Sequence, residues 1–538
     1  EIKMKNFKYL LIIALTFYAC HGDLDQNPTD PDLFTEVQVY SSSQEAKSAL
    51  AKVYASFALT GQQGPAGQPD IDNSIIDEGF SQFTRVMYTL NECSTDTAVV
   101  GWGDPGLPNI HEMSWDVNNP WTKGMYFRLA QAVSFANSFI ENAEELAASD
   151  PETGFMIQEA RFLRAYAYYQ LMDMFANVPI VTKLTTELPQ QNSREEVFNF
   201  VDSELKDLTS TLPSSGANEY GRVDQTAAHA LLSRLYLNAP VYAGRDMYQE
   251  ASASAQAAIS GSYSINTNDA NGNGNAYDEL FLADNNTNGA QNEFIFAVQF
   301  DGLKSQSWGG STFAVHAPIG GSMNPSDFGV NGGWGGLRTT KGLVDKFSYS
   351  ITASDGNGHP TAWSDSRAMF HTDGQNYEMA KVGPFKEGYA VTKFKNINSA
   401  GGAGADSSGN HVDTDLAIIR LAEVLLNYAE SYVRGGAGDA STAAGYINQL
   451  RSRASAPTIN SSDLSVDLVM DERARELYWE GHRRPDLIRD NKFVTSSYLW
   501  PFKAGAANGM ATDEFRRIFP IPEDVILVNP NIKQNPNY

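Results

Sequence analysis

The chain has 538 residues, of which 42% are hydrophobic, and this is enough for a substantial core in one large domain or in two to three smaller ones. It carries 64 acidic and 39 basic side chains, a formal net charge of −25. This excess of negative charge argues against nucleic acid and against an anionic membrane surface as binding partners.

The first twenty residues have the character of a targeting segment. Lys5 and Lys8 supply positive charge, and residues 10–17 form an apolar run that is too short to span a bilayer. The run ends at Ala19 and Cys20, where a lipoprotein signal peptidase would cleave and Cys20 would receive a lipid. The two residues before Ala19 are bulkier than is usual at such a site, so an ordinary signal peptide with an incidental cysteine is the alternative.

Only Cys93 follows Cys20, so a stabilising intrachain disulfide is not expected in the processed chain. We predict that Cys93 is a small buried apolar side chain. No later apolar run reaches the length of a membrane span, so membrane attachment would depend on the lipid at Cys20.

Apolar residues recur every three to four positions through much of the chain, which predicts amphipathic helices. These helices are predicted at 43–59, 121–146, 155–175, 193–210, 224–238, 246–259, 417–434 and 440–452. Ser193 and Glu196 form a capping box at the start of one of them. Small alanines at the expected helix crossings resemble tetratricopeptide helix pairs with a loose period. The sequence therefore predicts a mostly α protein with a TPR-like scaffold.

Two segments lack this periodicity. Residues 70–118 are irregular, polar and aromatic, and residues 261–414 are rich in Gly, Asn, Ser and Asp. Within the second segment, 293–300 and 389–394 are predicted to be short strands. So long an irregular insertion is unusual in a compact domain unless it carries function. After the signal peptide of residues 1–20, we predict one domain over 21–538, with a helical scaffold at 43–260 and 415–538 and ligand-binding loops at 261–414 and 70–118.

Charge is concentrated between residues 470 and 490. The segment begins as a helix, and the glycine and proline in EGHRRPD predict that this helix ends and that a short turn follows. Glu472, Glu476 and Glu480 are four residues apart and share one helix face with arginines beside them. Glutamates at this spacing could form the acid/base pair of a glycosidase. The neighbouring arginines would keep them ionised, however, so no general acid is expected.

The same segment, ERARELYWEGHRRPDLIRDNKF, closely resembles a block of the SusD/RagB family. Further blocks resemble that family in its order: WTKGMYFRLAQAVSFANSFIENAEEL, EARFLRAYAYYQLMDMFANVPIV, GRVDQTAAHALLSRLYL, IIRLAEVLLNYAES, INQLRSRA and FPIPEDVILVNPNIKQNPNY. Members of the family are outer-membrane lipoproteins that bind glycans or other nutrients beside a TonB-dependent transporter. The resemblance covers about 121–260 and 415–538, and it does not extend into the loops that carry ligand specificity in the family.

This resemblance implies a SusD-like fold and a cell-surface lipoprotein, anchored in the outer membrane through Cys20, that has no enzymatic activity. Such a protein would capture an oligosaccharide or polysaccharide and pass it to a SusC-like TonB-dependent transporter. The loops lack a basic cluster, so a neutral glycan such as a glucan or a fructan is expected. Two alternatives remain open: a helical glycoside hydrolase, and a TPR-like protein that binds a peptide or another protein.

The resemblance also implies a shallow binding site built from loops on the side away from the TPR-like helices. Flat aromatic rings stack on the apolar faces of sugars, and Asp, Asn, Arg and Glu pair with the hydroxyl groups. The candidates on Gly-rich or polar loops are Trp102, Trp308, Trp334, Trp363, Asp104, Asp77, Asp327 and Arg338. For each tryptophan the alternative is a loop anchor packed on the scaffold, and for each charged residue it is an ordinary solvated charge.

No sequence motif predicts a catalytic centre or a cofactor. His111 and Glu112 lack the second histidine of a zinc-binding HExxH motif, and the Gly-rich runs lack the strand–glycine–helix context of a phosphate loop. Residues 269–278 are rich in Asp, Asn and Gly but lack the EF-hand spacing and its final Glu. A structural calcium ion on this acidic loop is an expectation from composition alone.

Overall fold

A computed structural model describes residues 36–538, and their side chains from residue 38 onward. The predicted signal peptide and Cys20 lie outside the described residues. The α-helices are α1 (Glu36–Val39), α2 (Ser43–Ala55), α3 (Phe83–Glu92), α4 (Pro108–His111), α5 (Pro120–Ala147), α6 (Pro151–Phe175), α7 (Arg194–Thr211), α8 (Gln225–Leu237), α9 (Ala239–Tyr242), α10 (Tyr248–Ile259), α11 (Gly310–His316), α12 (Lys341–Val344), α13 (Leu421–Val433), α14 (Ala440–Arg453), α15 (Val466–Leu477), α16 (Arg483–Arg489) and α17 (Glu523–Val528).

The strands are short and pair two by two. They are β1 (Gly61–Gln63), β2 (Gln68–Pro69), β3 (Val99–Val100), β4 (Phe294–Val298), β5 (Leu337–Arg338), β6 (Ile351–Ser354), β7 (Pro360–Trp363), β8 (Phe370–His371), β9 (Ala390–Val391) and β10 (Leu416–Arg420). The antiparallel pairs are β1–β2, β4–β10, β3–β5, β6–β7 and β8–β9. The prediction of a mostly α protein with a few short strands is confirmed.

The scaffold is a succession of packed helices. α5 packs on α6, α6 on α7, α7 on α8, α8 on α10, α10 on α13, and α13 on both α14 and α15. The connections 148–150, between α5 and α6, and 434–439, between α13 and α14, are short, which makes these two pairs antiparallel neighbours. α6 is the central helix, because every residue from Phe162 to Phe175 is buried.

Local sequence signals define most helix starts. The predicted capping box is present, since Glu196 N–H donates to the Ser193 side chain and the Glu196 carboxylate accepts from Ser193 N–H. Asn119, Asp150 and Asp224 cap the starts of α5, α6 and α8 in a similar way, each accepting at least one backbone N–H of the first turn. These contacts satisfy amide groups that have no partner within the helix.

Three predicted elements differ in the structure. Residues 417–420 were expected to be helical, but they belong to β10 and pair with β4 before α13 begins. The turn expected after Gly481 is the short helix α16, because Pro485 lies in the first turn of α16, where its missing N–H costs no hydrogen bond. α3 lies in a segment that was expected to be irregular.

The β4–β10 pair closes the base of the long insertion. β4 lies near the start of the irregular segment and β10 at its end, so the intervening residues leave the scaffold and return to it at one place. All five residues of β4 are buried. This arrangement keeps the insertion attached to the scaffold although its own strands are short.

A buried ionic network ties the insertion to α15. Arg420 bonds to Glu293 at 2.9 Å, to Glu476 at 2.6 Å and to Glu480 at 2.6 Å. Arg367, which belongs to the insertion, bonds to Glu476 at 3.1 Å, as well as to the neighbouring Glu472. All of these side chains are almost completely buried. Burial raises the pKa values of Glu476 and Glu480, but the arginines outweigh this effect and lower both, so neither is a general acid.

We expect acid to destabilise the fold through its buried carboxylates. Burial alone would raise the pKa of Glu472 and of Glu423, but Arg367 and Arg234 outweigh it and lower each pKa to about 2. An unfolded glutamate has a pKa of about 4.3. The stability that these carboxylates contribute is therefore complete above about pH 4.3 and is lost as the pH falls towards about 2.

Calorimetric melting temperatures measured between pH 5 and pH 2 check this prediction. The Glu472→Gln variant, which cannot titrate at this position, should show a smaller drop across that range than the wild-type protein. Equal drops in the two proteins would contradict the assignment to Glu472.

Two further predictions concern burial and membrane spans. Cys93 is a buried free cysteine, as predicted. Within residues 36–538, none of the helices has the length and apolar character that a membrane-spanning helix requires.

Candidate functional site

A two-residue strand pair brings Trp102 and Trp334 together. β3 pairs with β5, and the ladder continues where Gly101 N–H donates to the Gly336 carbonyl at 2.9 Å. Trp102 follows β3 and Trp334 precedes β5, so two residues that are 232 positions apart lie side by side. The Trp102 indole N–H donates to the Trp334 carbonyl at 3.2 Å and fixes the orientation of the Trp102 ring.

The glycines around Trp334 allow this close approach. A Cβ atom on Gly336 would lie 2.0 Å from Cε2 of Trp102, which no side chain could tolerate. Gly335 adopts a positive φ of 57°, a conformation that glycine populates readily. Because these glycines have no side chain, the Trp102 ring can pack directly against the backbone that follows Trp334.

Trp308 completes a row of three rings. The Trp102 and Trp334 ring centroids are 6.2 Å apart with an interplanar angle of 52°, and the Trp334 and Trp308 centroids are 6.4 Å apart, also at 52°. Trp334 is the middle ring. We call these three residues the tryptophan row. All three are partly buried, and Trp102 and Trp334 pack against the hydrophobic core.

Two histidines support the row. The His316 ring stacks on Trp334 at 5.1 Å with an interplanar angle of 17°, and the His411 ring lies 4.7 Å from Trp308. The His316 ring nitrogens lie 2.7 Å and 3.0 Å from the carbonyl oxygens of Gly332 and Asn410. Burial lowers the pKa values of both histidines, which favours the neutral form of each ring. The rings serve as neutral packing partners of the tryptophans.

Arg85 connects the row to α3. Its guanidinium lies 5.8 Å from the Trp334 ring centroid and 5.0 Å from that of Phe313. Its Nη1 donates to the carbonyl oxygens of Trp308 at 3.0 Å and Gly79 at 3.2 Å, whereas its buried Nε has no partner within the described residues. Arg85 thus brings a cationic donor to the row.

Two predicted carboxylates lie close enough to act on this guanidinium. Burial lowers the pKa of Arg85 to about 10, while the charges of Asp104 and Asp77 oppose that shift. Both aspartates are exposed. The structure therefore gathers Trp102, Trp334, Trp308 and these aspartates around Arg85, all of them from the two irregular segments. It places three partly buried aromatic rings beside hydrogen-bond donors and acceptors.

Sequence reasoning missed Arg85, His316 and His411. Arg85 sits in an apolar helical run that was not predicted to be a helix. A signal was present, because Arg85 is the only lysine or arginine between Lys52 and Lys123. The two histidines are scattered in the sequence, and only the fold places them against the tryptophans.

The structure places Arg338 inside the protein and not on the surface. Its side chain is completely buried and donates to the backbone carbonyl oxygens of Glu387, Gly336 and Val382. Burial lowers its pKa to about 10. Arg338 holds the backbone behind Trp102 and offers no hydrogen bond to a surface ligand.

Trp363 and Asp327 also lie outside the tryptophan row. The Trp363 ring belongs to β7 and packs edge-on against Phe370, with centroids 5.2 Å apart. The exposed Asp327 carboxylate accepts a hydrogen bond from the Asn324 side chain at 3.1 Å. In the described part of the chain, neither residue contacts the three rings.

No cluster of three or more His, Cys, Asp or Glu side chains among residues 38–538 is arranged to hold a metal ion. In the acidic loop expected to hold calcium, the Asp269 carboxylate accepts N–H groups of Asn273 at 3.1 Å and of Gly274 at 2.8 Å. Calcium at this loop stays a prediction.

The chain is similar over its whole length to known proteins. It is 32% identical to starch-binding protein SusD of Bacteroides thetaiotaomicron, with 100% of both chains covered. A SusD-like protein of Formosa agariphila is 24% identical, with 99% of this chain and 100% of that protein covered. Family models match residues 373–538, described as the SusD family, and residues 73–237, described as starch-binding associating with outer membrane.

Solved structures share the fold. A SusD superfamily protein from Bacteroides thetaiotaomicron VPI-5482 matches with a TM-score of 0.68 and 21% identity, over 92% of this chain and 100% of that one. Surface glycan-binding protein A from Bacteroides uniformis matches with a TM-score of 0.67 and 18% identity, over 92% and 99%. Since sequence similarity extends over the full length and the fold agrees, this chain belongs to the SusD/RagB family.

Proposed function

We propose that the protein is a surface glycan-binding protein that captures an oligosaccharide or polysaccharide on the tryptophan row. The observation that carries this proposal is the row itself, with Arg85, Asp77 and Asp104 beside it. Aromatic faces suit the apolar faces of sugar rings, and the polar groups suit their hydroxyls. The full-length relative named as a starch-binding protein supports the same function.

The preferred ligand is a neutral α-glucan of the starch type. Successive rings in the row are tilted by 52° to each other, so the three rings do not share one plane. A helical α-glucan turns its sugar faces along the chain, whereas a flat β-glucan presents coplanar faces. The two exposed aspartates beside the row also disfavour an anionic glycan, because like charges repel.

The protein would bind the glycan without catalysing a reaction on it. The carboxyl groups of Glu92 and Asp415 have pKa values raised by burial to about 7, which is a property expected of a general acid. Both are buried, and they accept backbone N–H groups of Gly481 and Phe300 respectively. In the described part of the chain, no contact joins either of them to the tryptophan row. Binding on a rigid platform is therefore the better-supported role.

Delivery of the glycan is the remaining part of the proposal. Membership of the family supports a SusC-like TonB-dependent transporter as the partner, and the Ala19–Cys20 sequence supports a lipid anchor in the outer membrane. The rigid helical scaffold would present the row with little loss of conformational entropy on binding.

Native gels that contain single polysaccharides would test the function directly. We expect starch and pullulan to retard the protein, and inulin, cellulose derivatives and polygalacturonate to leave its mobility unchanged. Incubation with starch should release no reducing sugar. Retardation by inulin alone would replace the glucan with a fructan, sugar release would favour a hydrolase, and the absence of any retardation would favour a peptide or protein ligand.

A further inference from the structure

Gln82 is a completely buried amide at the start of α3, three residues before Arg85. Its side-chain oxygen accepts three hydrogen bonds: from Thr84 Oγ1 at 2.8 Å, from Arg85 N–H at 3.0 Å and from Gly310 N–H at 2.9 Å. Its side-chain nitrogen donates to two carbonyl oxygens just after the end of α2, those of Phe57 at 2.8 Å and Ala58 at 3.1 Å. One side chain thus joins the start of α3, the end of α2 and the turn that follows Trp308.

This turn has little freedom to move. Gly310 has a positive φ of 56°, and a Cβ atom there would lie 2.1 Å from Cζ of Phe300. A Cβ atom on Gly309 would lie 2.4 Å from the Gln82 side chain itself. The backbone after Trp308 is therefore pressed between the Phe300 ring on one side and Gln82 on the other.

A second residue of α3 contacts the backbone of Trp308 itself. Arg85 Nη1 donates to the Trp308 carbonyl, and Gln82 accepts the N–H of Gly310 two residues later. The Arg85 backbone N–H in turn donates to Gln82. Gln82 and Arg85 therefore hold two successive peptide groups directly after Trp308. Among the described residues, this pair of contacts is the only hydrogen-bonded link between the start of α3 and the outer ring of the row.

We propose that Gln82 is a positioning residue that fixes Trp308 at the end of the tryptophan row and so sets the length of glycan that the row can bind. This inference depends on the proposed glycan binding. Gln82 does not reach the ligand and acts through Trp308. A short oligosaccharide can occupy Trp102 and Trp334 alone, whereas a longer one needs all three rings in register. Without the Gln82 amide, the N–H groups of Arg85 and Gly310 lose their acceptor, and the turn must shift to find another.

A double-mutant cycle between Gln82 and Trp308 tests the proposal. Gln82→Met keeps the size of the side chain but removes its hydrogen bonds. Calorimetry on the whole protein would compare maltotriose with maltoheptaose for the wild type, Gln82→Met, Trp308→Ala and the double variant. We expect Gln82→Met to weaken maltoheptaose binding about tenfold and maltotriose binding less than about twofold. Trp308→Ala should have the same effects. The double variant should bind no more weakly than Trp308→Ala alone. Additive losses, or equal losses for both sugars, would overturn the inference.

Asn285→Leu is the matched control. Asn285 is another completely buried amide, which bonds to the backbone of Leu280 and of Asp415 and to none of the three tryptophans. The Asn285→Leu variant should lower the melting temperature as Gln82→Met does, but it should leave the ratio of maltoheptaose affinity to maltotriose affinity unchanged. A changed ratio in this control would show that general destabilisation explains the effect, and it would overturn the inference.

A second measurement uses only the wild-type protein, in case Gln82→Met fails to fold. Amide hydrogen exchange of the peptide that contains Ser307 to Gly310 should already be slow without ligand, and maltoheptaose should change it less than about twofold. Fast exchange in the free protein would overturn the inference whether or not a glycan binds. A wild-type protein that binds neither sugar but shows slow exchange would instead contradict the proposed function.

Discussion

Replacing Trp334 by alanine is expected to weaken α-glucan binding by more than tenfold, which is about 1.4 kcal/mol or more. Trp334 is the middle ring, with Trp102 at 6.2 Å and Trp308 at 6.4 Å, and its loss divides the row into two isolated rings. The Trp334 backbone carbonyl that accepts the Trp102 indole N–H remains in the variant. The loss should therefore come from the missing stacking surface and not from movement of Trp102.

Isothermal titration with maltoheptaose would measure the effect of Trp334→Ala, and Trp363→Ala is its control. Trp363 is also a partly buried tryptophan of the insertion, but its ring packs on Phe370 outside the row. We expect the control to bind within about twofold of the wild type. A large loss in the control together with an intact Trp334→Ala variant would move the binding site to β7.

Replacing Arg420 by methionine is expected to have the largest effect on stability, a loss of about 3–5 kcal/mol in the free energy of unfolding. Arg420 compensates Glu293, Glu476 and Glu480, all of which are buried. Methionine has a similar volume but no charge. The buried carboxylates would therefore lose part of the positive charge that balances them, and an unbalanced charge in the protein interior is costly. Arg453 and Lys393 would compensate part of the deficit.

Urea unfolding followed by circular dichroism would measure this loss, with Arg245→Met as the matched control. Arg245 pairs with Glu195 at 2.9 Å, but both side chains are about half exposed, and such pairs contribute about 0–1 kcal/mol. Equal losses in the two variants would contradict the idea that the buried network holds the insertion to α15.

The scaffold could be predicted from the sequence because its signals are local. The apolar period of residues 121–146 and 155–175 predicted two long helices, and α5 and α6 start within one to four residues of those limits. Ser193 and Glu196 predicted a cap that the structure contains. The mixture of arginine and glutamate around residue 476 predicted ionised carboxylates; the pKa of Glu476 is indeed lowered, but by Arg453, Arg420 and Arg367, which are distant in the sequence. The helices and the cap need only neighbours within one or two helical turns.

The same local signals failed where distant contacts decide the structure. Residues 417–420 have an apolar pattern that suits a helix, but pairing with β4 makes them a strand. Arg338 was a surface candidate, yet three backbone carbonyl groups bind its guanidinium in the interior. Neither outcome is visible in a short window, because the partners of both residues come from other parts of the chain.

By itself, the sequence determined the helical scaffold, the family resemblance and the tryptophans and aspartates that are candidates for sugar binding. Only the tertiary structure decided which of them lie together. The β3–β5 pair joins Trp102 to Trp334, and Arg85, Gln82, His316 and His411 hold the rings at their angles. The physical reason is that helix formation depends on residues a few positions apart. A binding surface depends instead on backbone pairings and buried hydrogen bonds between residues hundreds of positions apart. Those contacts exist only once the chain has folded.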